Sequence, residues 1–211
     1  QGTPVHVDAV QVTGKLPINF HELGATTLAA SAHKFGGPRG IGLLLSRRSP
    51  APQPIAFGGG QERGIRPGTV DVASASALAA ALHESVAEMD QEAVRLATLR
   101  DKLKAGIESN IDNIIVNSTE PTLASHLHVS FPGTDGDSLI MLLDAAGIEA
   151  SAGSACHAGV NRMSHVLEAM GIDEEHGRGS LRFSLGRMTT DEDIDVVIKE
   201  LPEIIRRARS V

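Results

Sequence analysis

A long helical stretch in the middle of the sequence constrains the fold more than any other feature. From residue 72 to about residue 109, Ala and Leu recur at helical spacing, first in an alanine-rich half and then in a charged half. Gly106 lies near the predicted end of this helix. Because the sequence pattern changes after it, the helix is predicted to connect two domains.

Short apolar runs separated by turns precede the helix. They predict strands at residues 5–10, 27–32 and 41–45, and a glycine-rich turn joins the last two. Residues 47–68 are rich in Pro and Gly and are predicted to form a long loop. A loop of this length within a compact domain is more often functional than idle.

Strands and helices alternate in the sequence after the long helix. Strands are predicted at residues 113–117, 126–131, 148–152 and 180–185, and helices at residues 135–146 and 161–170. Thr189 and Glu192 have the spacing of a capping box, so a last helix is predicted to begin there and to reach about residue 209. Pro202 is predicted to kink that helix.

The composition excludes several classes of function. The net charge of −7 leaves no broad basic face for a general nucleic-acid binder. No run of eighteen or more apolar residues is present to span a membrane. The single cysteine excludes an internal disulfide and a multi-cysteine zinc site. These features together favour a cytoplasmic protein.

Lys34 lies in the segment LAASAHKFGGPRG, which combines the end of a predicted strand with a glycine-rich turn. A lysine fixed at the end of a buried strand is a candidate for covalent catalysis, because burial lowers the pKa of an ammonium group and a neutral amine attacks an aldehyde. An exposed turn lysine beside glycines accounts for the same residues. Asp8, at the end of the first predicted strand, likewise suits either a protonated ring nitrogen or a turn cap.

Five segments in a fixed order carry a more specific resemblance. They are VDAVQ at residues 7–11, SAHKFGGPRG at 31–40, GGGQERGIRPGT at 58–69, SAGSAC at 151–156 and SLRFSLG at 180–186. Over essentially the whole chain the sequence resembles the pyridoxal-phosphate-dependent cysteine desulfurases of the NifS/IscS type, in the class V aminotransferase group. The resemblance implies an α/β protein of the PLP-dependent transferase fold type I. Residues 1–86 would be the later part of the large cofactor domain, and residues 87–211 a small α+β domain.

The resemblance implies roles for five residues around the cofactor, pyridoxal 5′-phosphate. Lys34 matches the lysine that links covalently to the cofactor, and Asp8 matches the acid that pairs with the pyridine nitrogen. A protonated pyridine ring draws electrons from the substrate Cα and so stabilises the carbanion left by proton loss. Gln11 matches the residue that hydrogen-bonds the phenolic oxygen, and Ser31 and His33 match phosphate ligands.

Three further residues are implied to act on the substrate or across subunits. Thr69 matches the threonine that reaches the phosphate of the neighbouring subunit's cofactor, which implies a homodimer. Arg182 matches the arginine that binds the substrate carboxylate through its two-pronged guanidinium. Cys156 matches the nucleophile that accepts sulfur as a persulfide, and the adjacent His157 could help to lower the pKa of its thiol. The small residues before Cys156 differ from the apolar neighbours of a buried structural cysteine.

The implied activity converts L-cysteine to L-alanine and passes the sulfur to an acceptor such as an iron–sulfur scaffold protein. Two alternatives stay open. One is a selenocysteine lyase or another class V enzyme, which would not need Cys156. The other is an inactive fragment that acts as a scaffold, because the ring-stacking histidine and glycine–threonine turn of the family have no counterpart before Asp8.

The same missing segments lead us to expect that the chain is the C-terminal portion of a longer protein. His126 and His128 alternate on a predicted strand but have no further ligands near them in the sequence, so no metal site is predicted.

Overall fold

The computed structural model describes residues 2–152 and 163–210, and the chain divides into two compact units, Gln1–Gln91 and Glu92–Val211. The first unit contains strands β1 (His6–Asp8), β2 (Thr27–Ser31) and β3 (Gly42–Ser46). Helix α1 (Val72–Asn110) confirms the predicted long helix, beginning in the first unit and ending in the second. The second unit contains β4 (Ile115–Val116), β5 (His126–Ser130), β6 (Ser151–Ala152) and β7 (Ser180–Ser184), with helices α2 (Gly136–Ala145), α3 (His165–Ala169), α4 (Glu174–Gly177) and α5 (Asp191–Ala208).

The strands of the first unit form one sheet in the order β1-β2-β3. β1 and β2 run parallel, with Asp8 opposite Ala29, so their carboxyl ends meet at one edge of the sheet. β2 and β3 run antiparallel, with Ser31 opposite Gly42, as expected for strands joined by a tight glycine turn. A small apolar core beside this sheet includes one residue of α1 and is formed by Ala30, Ala32, Phe35 and Leu78.

The second unit is built on an antiparallel sheet in the order β4-β5-β7-β6. Successive side chains of a strand point to opposite faces, and in β5 Leu127 and Val129 are buried whereas His128 between them is half-buried. In β7 Leu181 is buried and Arg182 is exposed. The apolar face packs into a core with α1, α2 and α5, so the opposite face is the one that carries polar side chains.

The capping of α5 differs from the sequence prediction by one residue. Thr190 is the N-cap: its hydroxyl accepts a hydrogen bond from the backbone N–H of Asp193, whose carboxylate accepts one from the N–H of Thr190. The hydroxyl of Thr189 instead accepts from the N–H of Gly186 at 2.9 Å, which closes the preceding turn. The helix then runs through Pro202 to Ala208 as one element.

Two other predicted elements are shorter in the structure. β6 contains only two residues, because the N–H of Ile148 donates to the carbonyl of Leu143 in the turn that ends α2. α3 begins after Ser164, whose hydroxyl accepts from the N–H of Val166, and the predicted helix start at residue 161 lies outside the described residues. Within residues 2–152 and 163–210, every helix is too short or too polar to cross a bilayer.

Candidate functional site

The carboxyl ends of β1 and β2 place two of the predicted site residues at one edge of the first sheet. Asp8 ends β1 and is exposed, and Ser31 ends β2 and is half-buried. One carboxylate oxygen of Asp8 accepts a hydrogen bond from the N–H of Val10 at 2.9 Å, which is the turn-capping role that the sequence left open. The other oxygen of Asp8 stays available for a second partner. Gln11 lies exposed in the turn that follows.

Of the two placements that the sequence left open for Lys34, a buried strand end or an exposed turn, the structure has the exposed turn. β2 ends at Ser31, and Lys34 closes a short 3-10 helix, Ala32–Lys34, with its side chain exposed. Burial therefore does not distinguish this lysine from an ordinary turn lysine. Its immediate neighbours form a polar pair, because the Ser31 hydroxyl lies 2.8 Å from Nδ1 of His33. This pair and Lys34 lie together just beyond the sheet edge that also carries Asp8.

Lys15 is a second lysine of this region, and sequence reasoning missed it. Its pKa is lowered, mainly because the side chain is partly buried and secondarily by the positive charge of Lys34. The two ammonium groups are therefore close enough to repel each other. A pair of cations at a sheet edge attracts a multiply charged anion such as a phosphate group. No sequence signal identified Lys15, which follows Gly14 in an unremarkable turn.

The loop that follows β3 contains Thr69. Gln61–Gly64 forms a short 3-10 segment, in which Glu62 and Arg63 have positive φ angles of 48° and 59°. The side-chain carbonyl of Gln61 accepts from the N–H of Gly68 at 3.2 Å and so ties the start of this segment to the residue before Thr69. Thr69 follows directly and is exposed.

Arg182 occupies the polar face of the second sheet, in the middle of a row of paired residues. It lies directly opposite His128 on β5 and opposite Ser151 on β6. Its guanidinium donates through Nη2 to the hydroxyl of Ser151 at 3.3 Å. Residues paired across an antiparallel sheet point to the same face, so these three side chains are neighbours.

A cleft of about 410 Å³ opens over this face. Arg182 and His128 line it together with hydroxyl and amide groups and with part of α3: Asn117, Ser118, Thr119, Thr122, Ser164, His165, Val166, Leu167 and Met170. Burial and, secondarily, the charge of Arg182 lower the pKa of the His128 imidazole. The cleft therefore combines the permanent cation of Arg182 with two imidazoles, of which that of His128 is held towards its neutral form, and with several hydroxyl groups. This set suits a small ligand that has a carboxylate and other polar groups.

Cys156 lies outside the described residues. Two described residues near it in the sequence are Ser151, which accepts a hydrogen bond from Arg182, and Ser164, which lines the cleft. The described residues contain no cluster of three His, Cys, Asp or Glu side chains that could hold a metal ion. His126 contacts the hydroxyl of Ser125 at 2.8 Å.

Comparisons with known proteins match one protein family along almost the whole chain. The Aminotransferase class-V family model matches residues 1–197. An IscS-like cysteine desulfurase of Mycobacterium tuberculosis is 47% identical over 210 residues, which are 99% of this chain and 53% of that protein. The cysteine desulfurase NifS of Azotobacter vinelandii is 39% identical over 211 residues, which are 100% of this chain and 52% of that protein. The chain thus spans about half the length of the curated relatives it matches.

Solved structures agree with the sequence comparison. A NifS-like protein from Rickettsia africae superposes with a TM-score of 0.87 at 29% identity, over 96% of this chain and 54% of its own. A second NifS-like protein gives a TM-score of 0.85 at 37% identity, over 97% of this chain and 53% of its own. The expected fold, part of a type I PLP-dependent transferase, is confirmed. With the family model matching almost from end to end, the chain is a member of the class V aminotransferase family.

Proposed function

We propose that this chain provides the lysine, the nucleophilic thiol and the carboxylate-binding arginine of a cysteine desulfurase. The observation that carries the proposal is the hydrogen-bonded pairing of Arg182 with Ser151, five residues before Cys156 in the sequence. A substrate carboxylate held by Arg182 would be bound beside β6, the strand that precedes Cys156 in the sequence. The curated relatives named above are themselves cysteine desulfurases.

The residues at the edge of the first sheet fit pyridoxal phosphate, which is the cofactor of this family. Lys34 would hold it covalently through Nζ, and the free carboxylate oxygen of Asp8 would keep a proton on its pyridine nitrogen. Ser31 and His33 would bind its phosphate, and the charge of Lys15 would add to the attraction. When bound, the cofactor supplies an electron sink for the carbanion at the substrate Cα.

To the sulfur transfer itself the chain would contribute two groups, the thiol of Cys156 and the guanidinium of Arg182. The Cys156 thiolate attacks the sulfur of L-cysteine, so that a sulfur–sulfur bond forms while the carbon–sulfur bond breaks. The carbon keeps the bonding electron pair and takes a proton, which gives L-alanine and a persulfide on Cys156. Arg182 orients the substrate by its carboxylate, and such orientation supplies a large part of the rate.

Exposed apolar side chains support the further proposal of a homodimer. Ile55 and Phe57, in the loop that leads to Thr69, are 98% and 89% exposed. Large apolar side chains so fully exposed on one loop are typical of a surface that another chain covers. A second copy of this chain there would bring Thr69 towards the partner's cofactor. The persulfide would pass to a sulfur-acceptor protein such as an iron–sulfur scaffold, and the single cysteine fits a reducing, cytoplasmic setting.

The proposal is tested with Cys156→Ser and Lys34→Ala in the intact, cofactor-loaded protein, with Lys199→Ala as a control for loss of an exposed lysine that neither the sequence nor the cleft assigns to the site. Alanine release from L-cysteine is expected to fall by at least about a thousandfold in both variants, because each removes a covalent step. Mass spectrometry should find a persulfide on Cys156 of the wild type. Full activity of Cys156→Ser would favour a selenocysteine lyase, and a chain that takes up no cofactor would favour a scaffold role.

A further inference from the structure

The polar row on the second sheet continues beyond Arg182 to Asn117. Across the sheet order β4-β5-β7-β6, the row consists of Asn117 just after β4, His128, Arg182 and Ser151. The backbone N–H of Asn117 donates to the carbonyl of His128 at 2.8 Å, and the backbone N–H of His128 donates to the hydroxyl of Ser118. His128 is therefore held on a fixed backbone between an amide on one side and a cation on the other.

The Asn117 side chain sets the proton position on the imidazole. Its amide nitrogen Nδ2 lies 3.0 Å from Nδ1 of His128 and donates to the hydroxyl of Ser130 at 2.8 Å. An amide nitrogen can only donate, so Nδ1 must be the acceptor and the single proton of the neutral ring is on Nε2. A proton on Nδ1 would face the amide N–H and break this contact.

The amide orientation in which Asn117 makes these two hydrogen bonds has a free-energy cost. The residue is only 8% exposed, and its carbonyl oxygen Oδ1 is buried without a hydrogen-bond partner among the described residues. An unsatisfied buried acceptor costs free energy, but the reversed amide would leave the two N–H donors at that buried position without acceptors. The amide is thus committed to the orientation in which it donates to the imidazole.

The two nitrogens of an imidazole ring point in roughly opposite directions, so Nε2 is directed away from the Asn117 amide that contacts Nδ1. Asn117 and Arg182 flank His128 on its two sides in the sheet. Nε2–H and the guanidinium both only donate, so neither satisfies the other. Two neighbouring donors that line one cleft can share an acceptor, and a carboxylate has about four lone-pair sites to offer.

We infer that His128 is a substrate-binding residue, whose Nε2–H donates to the α-carboxylate that Arg182 also binds. Asn117 is the positioning residue that holds the imidazole in the required tautomer. This inference rests on the proposed function, because it takes the carboxylate of an amino-acid substrate as the ligand. It adds to the proposed function that two chemically different donors, the His128 imidazole and the Arg182 guanidinium, bind the same carboxylate.

Two substitutions separate this role from a structural one. In His128→Gln, the side-chain amide nitrogen can take the place of Nε2, whereas in His128→Asn the amide can replace only the Nδ1 contact with Asn117. We expect the KM for L-cysteine to stay within about threefold of wild type in the Gln variant. In the Asn variant it should rise roughly tenfold to a hundredfold, the loss expected for a hydrogen bond to a charged group, with a smaller change in kcat.

Cysteamine, which is cysteine without its carboxylate, provides the matched control ligand. As an inhibitor it should bind the wild type and both variants equally. Equal losses of cysteine affinity in both variants, or a loss confined to the Gln variant, would overturn the inference. Failure of the proposed function would look different, because the wild type itself would then release no alanine.

A second readout does not depend on turnover. In the cofactor-free intact protein labelled with ¹⁵N-histidine, the His128 signal should show a proton on Nε2 and none on Nδ1 at neutral pH. Addition of L-alanine should shift the Nε2 signal of the wild type and leave its Nδ1 signal in place. A proton on Nδ1, or no response of Nε2 to L-alanine, would contradict the assignment even if a variant failed to fold.

Discussion

Two features of the fold act on the His128 imidazole, and both favour its neutral form. Burial lowers the pKa of this group, and the neighbouring charge of Arg182 lowers it further. In the unfolded chain a histidine titrates near pH 6.5, so between the two pKa values the unfolded chain binds more protons than the folded chain. The contribution of the neutral imidazole to the free energy of unfolding is therefore complete above about pH 6.5. It is lost as the pH falls through the pKa of His128 in the folded chain.

The free energy of unfolding should therefore depend on pH partly through this one residue. Between about pH 7 and about pH 5, we expect it to fall less steeply in His128→Gln than in the wild type, because the variant has no imidazole to protonate. Urea denaturation at constant ionic strength measures both curves. Parallel curves for the two proteins would show that His128 does not contribute.

Functional residues could be predicted from the sequence where a motif identifies them. Their burial could not, because it depends on how the chain packs. Lys34 was found from the SAHK segment and its glycine turn, yet the sequence left open whether it is buried or exposed, because a short 3-10 helix after β2 decides this. Lys15 was missed. The turn before it folds inward, with Thr13 buried and bonded to the carbonyl of Ala9 at 2.7 Å, and this burial has no sequence signature.

At the scale of elements, the start of α5 tests how the chain chooses between two adjacent caps. Both Thr189 and Thr190 have an acidic residue three positions later, and the structure selects Thr190 because Thr189 is engaged by the turn at Gly186. We expect Thr190→Ala to lower the free energy of unfolding by about 1 kcal/mol. Glu192→Ala, which would disrupt the alternative capping box, should change it by less than about 0.5 kcal/mol. Chemical denaturation of the two variants gives the comparison, and a larger loss in Glu192→Ala would contradict the observed cap.

Most elements could be predicted because their signals are local. The Ala and Leu spacing of α1 and the alternation of β5 each lie within one segment of the sequence. The row from Asn117 to Ser151 could not be predicted, because it depends on the strand order β4-β5-β7-β6 rather than on chain order. Periodicity locates strands but does not specify which strands pair, so the neighbours of Arg182 emerged only from the structure.

At the scale of the whole molecule, the proposed homodimer assigns residues of one site to two copies of the chain. Lys34 would act on the cofactor of its own copy, whereas Thr69 would act on that of the partner. The loop between β3 and α1 supports this division, because Ile55 and Phe57 expose apolar area before the exposed Thr69. A closed two-fold pairing would bury the same loop on both copies.

Mixing two defective variants tests this division directly. Lys34→Ala and Thr69→Val homodimers should each be strongly impaired, and dissociating and reassociating them in equal amounts should restore alanine release. If Thr69 acts in trans, each mixed dimer has one site with both substitutions and one intact site. About half of the dimers are mixed, and one of the two sites in each mixed dimer is intact. The rate of alanine release should therefore reach about a quarter of that of the same amount of wild type. If Thr69 acts within its own chain, every site in the mixed dimer keeps one defect, and activity stays at the average of the two parents. Sedimentation of the mixture establishes that dimers have re-formed, so a lack of recovery then contradicts the shared site rather than the assembly.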